Sequence, residues 1–342
     1  MQGSWRRQGD ARRELVASMI TCMTDPAEFA HNLSRHTRDV LDRIARAAHT
    51  PMHGMSASAA RAFYEKAAGV LEVNKVPMAR EESLRIPTRD GQHIQAKLWA
   101  PRHAPLPVLL YFHGGGFTIG SSSTHEPLCR SLAKLADCAV VSVDYRLAPE
   151  HRFPTAVFDA WDAMQWLREQ RTALGLHPSA WAVGGDSAGG TLAAVCALHA
   201  RDQGWALDGQ ILFYPGTTAH QDTGSHARYA KGMVLGEATI DFFFEQYIPT
   251  RSQRSDWRFA PLLADDHAHV APAWLGLAEV DPLVDEGVAY ADALRMAGVP
   301  VDLEIYPGVV HGFIQWGRVE PLALKAHAGA AAALTHWWAT AA

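Results

Sequence analysis

From about residue 107 onward, short apolar runs alternate with longer stretches in which apolar positions recur every three or four residues. The runs PVLLYFHGGG (107–116), CAVVSVDYR (138–146), AWAVGGD (180–186), GQILFYP (209–215), AWLGLAEVD (273–281) and VDLEIYPG (301–308) have the length of strands. Between them, EPLCRSLAKLA (126–136), AVFDAWDAMQWLREQ (156–170) and AGGTLAAVCALHARD (188–202) read as helices. Strands that are apolar throughout and separated by helices predict an α/β chain with a mostly parallel central sheet, flanked by helices on both faces. Upstream, residues 82–101 form two alternating runs around Asp90-Gly91, a hairpin signal.

Two regions break the alternation. Before residue 80 the pattern is helical. One helix should start at DPAEFAHNL, capped by Asp25 with Pro26 in its first turn, and bury Phe29, Leu33, Val40, Leu41 and Ile44. A second follows in SAARAFYEKAAGVL. Between Pro215 and Trp257 there is no good strand, only the aromatic helix ATIDFFFEQYI, in which Phe243 and Tyr247 share a face. This segment and the N-terminal helices are expected to form a helical cap over the sheet. The expected organisation is an N-terminal extension with cap helices (1–82), the first part of a catalytic core (83–215), a cap insertion (216–258) and the rest of the core (259–342).

Composition narrows the class. The 342 residues are 48% hydrophobic and 20% charged, enough apolar material to fill a large core, with a formal charge of −5 and no basic cluster. That argues against nucleic-acid partners. No apolar run is long enough for stable membrane insertion. Cys22, Cys129, Cys138 and Cys196 form no CxxC pair, which favours free buried thiols in a reducing compartment over disulfides or zinc, and hence a cytoplasmic protein. SWRRQGDARRELVASMITCM makes a poor export signal. A disordered extension, or a translation start misplaced upstream of Met19 or Met23, accounts for it better.

The chemistry gathers at VGGDSAGG (183–190). Gly185-Asp186-Ser187-Ala188-Gly189 fits G-x-S-x-G between a strand and a helix, the setting in which a serine is lifted on a sharp turn as a nucleophile. A glycine-rich turn of a dinucleotide-binding fold is the plainer reading, but the G-x-G-x-x-G fingerprint is missing. HGGG at 113–116 follows a strand, and its bare backbone offers N–H donors for an oxyanion: Gly114 and Gly115, with Ala188 as a third. No Lys-Ser/Thr follows, so this is not a phosphate loop. Serine needs a base and an orienting acid. Downstream, LAEVDPLVDEG sets Asp281 at a strand end, with Glu279 inside the strand and Asp285 at the next helix start as rivals, and YPGVVHGF sets His311 in the following loop.

HGGGF, DYRLAPEHRFP, GDSAGG, DPLVDEG and HGF, in that order, resemble the hormone-sensitive-lipase-like family of α/β-hydrolase esterases, bacterial lipolytic family IV. The resemblance runs from about residue 80 to the C-terminus. It implies an α/β-hydrolase fold with a helical cap, a Ser187–His311–Asp281 triad and an oxyanion hole at Gly114, Gly115 and Ala188. The implied reaction is hydrolysis of a small-molecule carboxylic ester of short to medium acyl length, with no cofactor and no metal. Amide or carbamate hydrolysis on the same triad is the alternative. Receptors that share this fold lack the histidine base, which His311 supplies here. Met233, Phe242, Phe243, Phe244 and Tyr247 are candidates for the cap's substrate-facing wall, or else for its own packing. Asp144, Glu150 and His151 read as structural, with Asp144 and Arg146 pinning the connection. ADDHAH (264–269) reads as a solvated loop. A homodimer is compatible with the sequence.

Overall fold

The computed structural model describes residues 32–47, 49–231 and 234–340. The expected cap at Asp25, the extension before it and Met233 lie outside the described residues. Eight strands form one sheet: β1 (Arg80–Pro87), β2 (His93–Ala100), β3 (Val108–Phe112), β4 (Ala139–Asp144), β5 (Trp181–Asp186), β6 (Gln210–Phe213), β7 (Ala273–Val280) and β8 (Val301–Val310). Their order is β1-β2-β4-β3-β5-β6-β7-β8. The β1–β2 and β2–β4 pairings are antiparallel and every later one is parallel.

The parallel strands are apolar throughout because each feeds two cores. In β3, Val108, Leu110 and Phe112 join the core that contains Leu192, Val195 and Leu294, while Leu109 and Tyr111 join the one that contains Leu128, Leu132 and Trp337. The first core is covered by the helices Thr155–Gln170, Ala188–Asp202 and Val284–Met296. The second is covered by Glu126–Leu135 and Pro321–Thr340. Period-2 alternation between two buried faces turns an alternating pattern into a continuous apolar one.

Two outlying helical segments meet above the sheet's C-terminal edge. Ala60, in the helix Ala57–Ala67, packs with Phe242, in the helix Glu237–Tyr247, over Ile119 of the loop after β3. Arg61 fastens this arrangement by donating to the Thr118 and Ala148 carbonyls and to Glu150. The helix Arg35–Arg46, capped by Ser34, docks near the end of β8, where the Ser34 N–H donates to the Gly308 carbonyl. Val40 is buried as expected, whereas Ile44 is half exposed. No helix among the described residues is long and apolar enough to cross a membrane.

Candidate active site

Three loops at the C-terminal ends of the parallel strands β5, β7 and β8 converge. Ser187 follows β5 and opens the helix Ala188–Asp202 with φ 53° and ψ −122°. A non-glycine residue in that region is strained by about 1–3 kcal/mol and is held there by its surroundings. Its neighbours must be bare: a β-carbon on Gly189 would fall on the Phe112 carbonyl, and one on Gly185 on the Gly189 backbone. The turn points the hydroxyl at His311, in the loop after β8, with Nε2 2.9 Å from Ser187 Oγ. On the other side of the ring, Nδ1 lies 2.7 Å from Asp281 Oδ2. Asp281 is fully buried just past β7, and its Oδ1 accepts the Leu283 N–H at 2.9 Å. A carboxylate only accepts, so Nδ1 carries the hydrogen and Nε2 is left to take one from serine. The Tyr214 ring lies 4.5 Å from that of His311 and backs it.

The rival acids are engaged elsewhere. Glu279 accepts the Gly308 N–H, and Asp285 accepts the Ser225 N–H from the first turn of its helix, where Leu283 holds the cap position.

The glycine loop after β3 is clamped at its first residue. The Gly114 N–H donates to Asp186 Oδ1 at 3.0 Å, and the Gly114 carbonyl accepts from His113 Nδ1 at 2.8 Å. This corrects the expectation for Gly114: a hydrogen already given to a carboxylate cannot also serve an oxyanion. The amides of Gly115 and Gly116 make no hydrogen bond among the described residues, and both glycines line the same cavity as Ser187 and Ala188. Among the described residues, the amides left unpaired beside Ser187 are therefore those of Gly115, Gly116 and Ala188, one residue along the loop from the expected set. The N-terminus of the helix Ala188–Asp202 adds its partial positive charge beside them.

Asp186 also accepts from Tyr111 Oη at 2.7 Å and lies 3.2 Å from His125 Nε2. Burial pushes its carboxyl up, but His125, the Tyr111 hydroxyl and His113 outweigh that and hold it below the usual carboxylate range. It is therefore a buried anion. His113 is pushed down to about 4, by burial first and by His125 second, so its ring is a neutral Nδ1–H donor. That ring stacks on Tyr145 at 4.4 Å, and the Tyr145 hydroxyl donates to the His113 carbonyl.

The cavity above Ser187 has a volume of about 240 Å³. A family model described as an alpha/beta hydrolase fold matches residues 109–315, which span all four of these loops. The chain belongs to the hormone-sensitive-lipase-like family of α/β-hydrolase esterases. An ethyl acetate hydrolase of Pseudomonas putida is 41% identical over 79% of this chain and 86% of its own length. A crystal structure of an α/β-hydrolase enzyme from the metagenome of Lake Arreo, Spain, superposes with a TM-score of 0.87 at 35% identity, covering 90% of this chain and 99% of that one. A hyperthermophilic esterase from Pyrobaculum calidifontis gives 0.84 at 37% identity, over 89% of this chain and 98% of that one.

In this hydrolase the cap candidates divide. Phe243 and Phe244 line the cavity, and Phe243 rests on Gly116 so closely that a β-carbon there would enter its ring. Tyr247 does not reach the cavity. It is buried, stacked on Phe117 at 4.0 Å and edge-on to Phe153. One helix turn separates it from Phe243, and the helix faces the cavity at one and the strand-to-helix connection at the other. Phe242 packs on Ala60 and Ile119.

In DYRLAPEHRFP, Asp144 accepts from Ser122 while Arg146 pairs with Asp90 and Asp159, so the two pin the connection separately rather than to each other. His267, within the loop expected to be solvated, is buried with its Nε2 3.0 Å from the Pro261 carbonyl. The Asp186–Tyr111–His125 network joins residues far apart in sequence and carries no motif of its own. Its one visible sign was a charged residue in the x position of G-x-S-x-G, on a strand otherwise wholly apolar.

Proposed function

We propose that this esterase hydrolyses carboxylic esters of short to medium acyl length through an acyl-enzyme on Ser187. The observation that carries the reading is the unbroken chain Asp281–His311–Ser187, at 2.7 and 2.9 Å. Ser187 Oγ attacks the ester carbonyl carbon as its hydrogen passes to His311 Nε2. The carbonyl oxygen becomes an oxyanion that accepts from the Gly115, Gly116 and Ala188 N–H groups. As the tetrahedral intermediate collapses, the C–O bond to the alcohol breaks and His311 returns the proton to the departing oxygen. A water molecule, deprotonated by the same nitrogen, then attacks the acyl-enzyme; the bond from the acyl carbon to Ser187 Oγ breaks, His311 returns the proton to Oγ, and the acid is freed. Asp281 holds the tautomer and stabilises the imidazolium in both halves.

The acyl range rests on the cavity. At about 240 Å³ it falls below the roughly 300–1,000 Å³ of pockets for drug-sized ligands. A relative named for hydrolysis of ethyl acetate supports the short end. The test is turnover of p-nitrophenyl acetate, butyrate, octanoate and palmitate by the wild type and by Ser187→Ala. We expect the short esters to turn over and the variant to lose several orders of magnitude in kcat. A fully active variant overturns the nucleophile, and faster cleavage of palmitate than of butyrate overturns the chain-length reading.

A further inference from the structure

One side of the substrate cavity is built differently from the rest. Leu235, Ile240, Phe244 and Leu283 give an apolar wall, whereas His226 and Glu286 face the same space. Both are deeply buried, at 6% and 2% exposure. Neither takes part in the Ser187–His311–Asp281 chain.

Glu286 is fixed from behind. Its Oε1 accepts the Thr217 N–H at 2.6 Å and its Oε2 accepts from the Thr218 hydroxyl at 2.6 Å. Burial pushes this carboxyl up to about 8, against the pull of those two threonines. At neutral pH it therefore holds a proton and offers a donor as well as acceptors. His226 is fixed through Nδ1, 2.7 Å from Thr223 Oγ1. Its other nitrogen, Nε2, makes no hydrogen bond among the described residues, and Glu286 Oε2 stands 3.4 Å from it, beyond the usual length of such a bond. An imidazole nitrogen and a carboxyl oxygen thus stand side by side, held rigidly and imperfectly satisfied by each other, in a cavity that must also admit an ester.

We propose that His226 and Glu286 form a polar subsite that recognises a hydroxyl group on the substrate ester. A hydroxyl oxygen seated between them accepts from one and donates to the other, which suits its single donor and two acceptor sites. An apolar group in the same place strips both buried partners of water and returns no hydrogen bond. The inference rests on the esterase reading above and adds the class of ester. The hydroxyl belongs either to the acyl chain or to the alcohol, and matched substrates separate the two.

The experiment compares kcat/KM for two isosteric pairs: p-nitrophenyl 3-hydroxybutyrate against 3-methylbutyrate, and 2-hydroxypropyl butyrate against isobutyl butyrate. A site that hydrogen-bonds a hydroxyl discriminates far more strongly than one that senses only size. We expect the wild type to prefer the hydroxylated member of one pair by about tenfold or more. The pair that shows the preference identifies the side of the ester. In His226→Leu and in Glu286→Gln that ratio should fall about tenfold, the hydroxylated member losing far more than its methyl analogue.

A wild-type ratio near one in both pairs overturns the subsite and leaves the esterase reading standing. Equal losses on both members in both variants also overturn it, since they assign the residues to holding the cap against the Asp281 loop. A wild type that cleaves none of the four esters overturns the esterase reading and the subsite together.

Discussion

Replacing Asp186 by alanine tests whether the oxyanion loop is set by a buried charge. The carboxylate accepts from Gly114 N, Tyr111 Oη and His125 Nε2 and is 4% exposed. Its removal leaves three buried donors without an acceptor. Hydrogen bonds to a charged group contribute about 1.5–3 kcal/mol each, and water entering the gap recovers part of that. The expected loss of stability is therefore about 3–5 kcal/mol, read as a shift in the urea midpoint at unchanged slope. The catalytic effect is separate. With Gly114 released, the Gly115 and Gly116 amides lose their fixed aim, and losing one such donor costs about 10²–10³ in kcat. Because the oxyanion exists only in the transition state, KM should move by less than about threefold. Asp186→Asn keeps an acceptor for Gly114 and Tyr111 while losing the charge, and should retain kcat to within about tenfold. The assay is steady-state hydrolysis of p-nitrophenyl butyrate on variants whose folding has been checked by urea titration. A folded Asp186→Ala with kcat within threefold of wild type would refute the reasoning, because the loop would then hold its shape without the anion.

Other expectations follow from the same geometry. Gly189→Ala puts a methyl on the Phe112 carbonyl and should either abolish soluble expression or lower kcat at least about 100-fold, as measured on any refolded protein. Phe243→Ala opens the cavity over Gly116 and should raise the octanoate-to-butyrate ratio of kcat/KM, whereas Tyr247→Ala should leave that ratio unchanged and cost about 3–5 kcal/mol of stability, as for other buried aromatics. Glu72 is buried with neither carboxylate oxygen hydrogen-bonded, and burial, aided by Asp186, raises its pKa from an ordinary 4.5 to about 9. The folded protein holds that proton after the unfolded chain has released it, so the contribution of Glu72 to stability is full below pH 4.5 and is lost as pH rises toward about 9. Glu72→Gln should flatten that decline by a few kcal/mol in denaturation measured across the range, and an unchanged slope would contradict it.

What the sequence made legible was whatever local pattern dictates. Strands buried on both faces announce themselves as VLLYF or WAVGGD, and a serine between glycines at a strand-to-helix junction has few other uses. Asp281 and His311 could be found because each follows a strand whose end must carry a loop. The less legible features depend on partners distant in sequence. Whether Gly114 or Gly116 supplies a donor is decided by Asp186, seventy-two residues from Gly114, which takes the Gly114 hydrogen first. Phe243 and Tyr247 share a helix face by spacing, yet neighbours from other segments send one to the cavity and the other to Phe117 and Phe153. His226 gave no signal because it lies in no motif, and Glu286 gave none although it lies in DPLVDEG, because there the sequence points to Asp281 and leaves Glu286 a residue of the helix that follows. Their meeting is made by the return of the inserted segment onto the Asp281 loop.

The pairing of Phe112 with Gly185 across β3 and β5 has one more consequence. The nucleophile and the oxyanion loop each leave the sheet one or two residues beyond that pair, so their separation is fixed by the spacing of adjacent strands, about 4.8 Å. The sheet thus works as a ruler for that separation, and the cap bears on the oxyanion loop from outside, where Phe243 rests on Gly116. An ester too small to reach the cap would be cleaved at the pace set by that ruler. Grafting a different cap that keeps an aromatic ring over Gly116 should then redraw the substrate range while the turnover of such a minimal ester stays where it was.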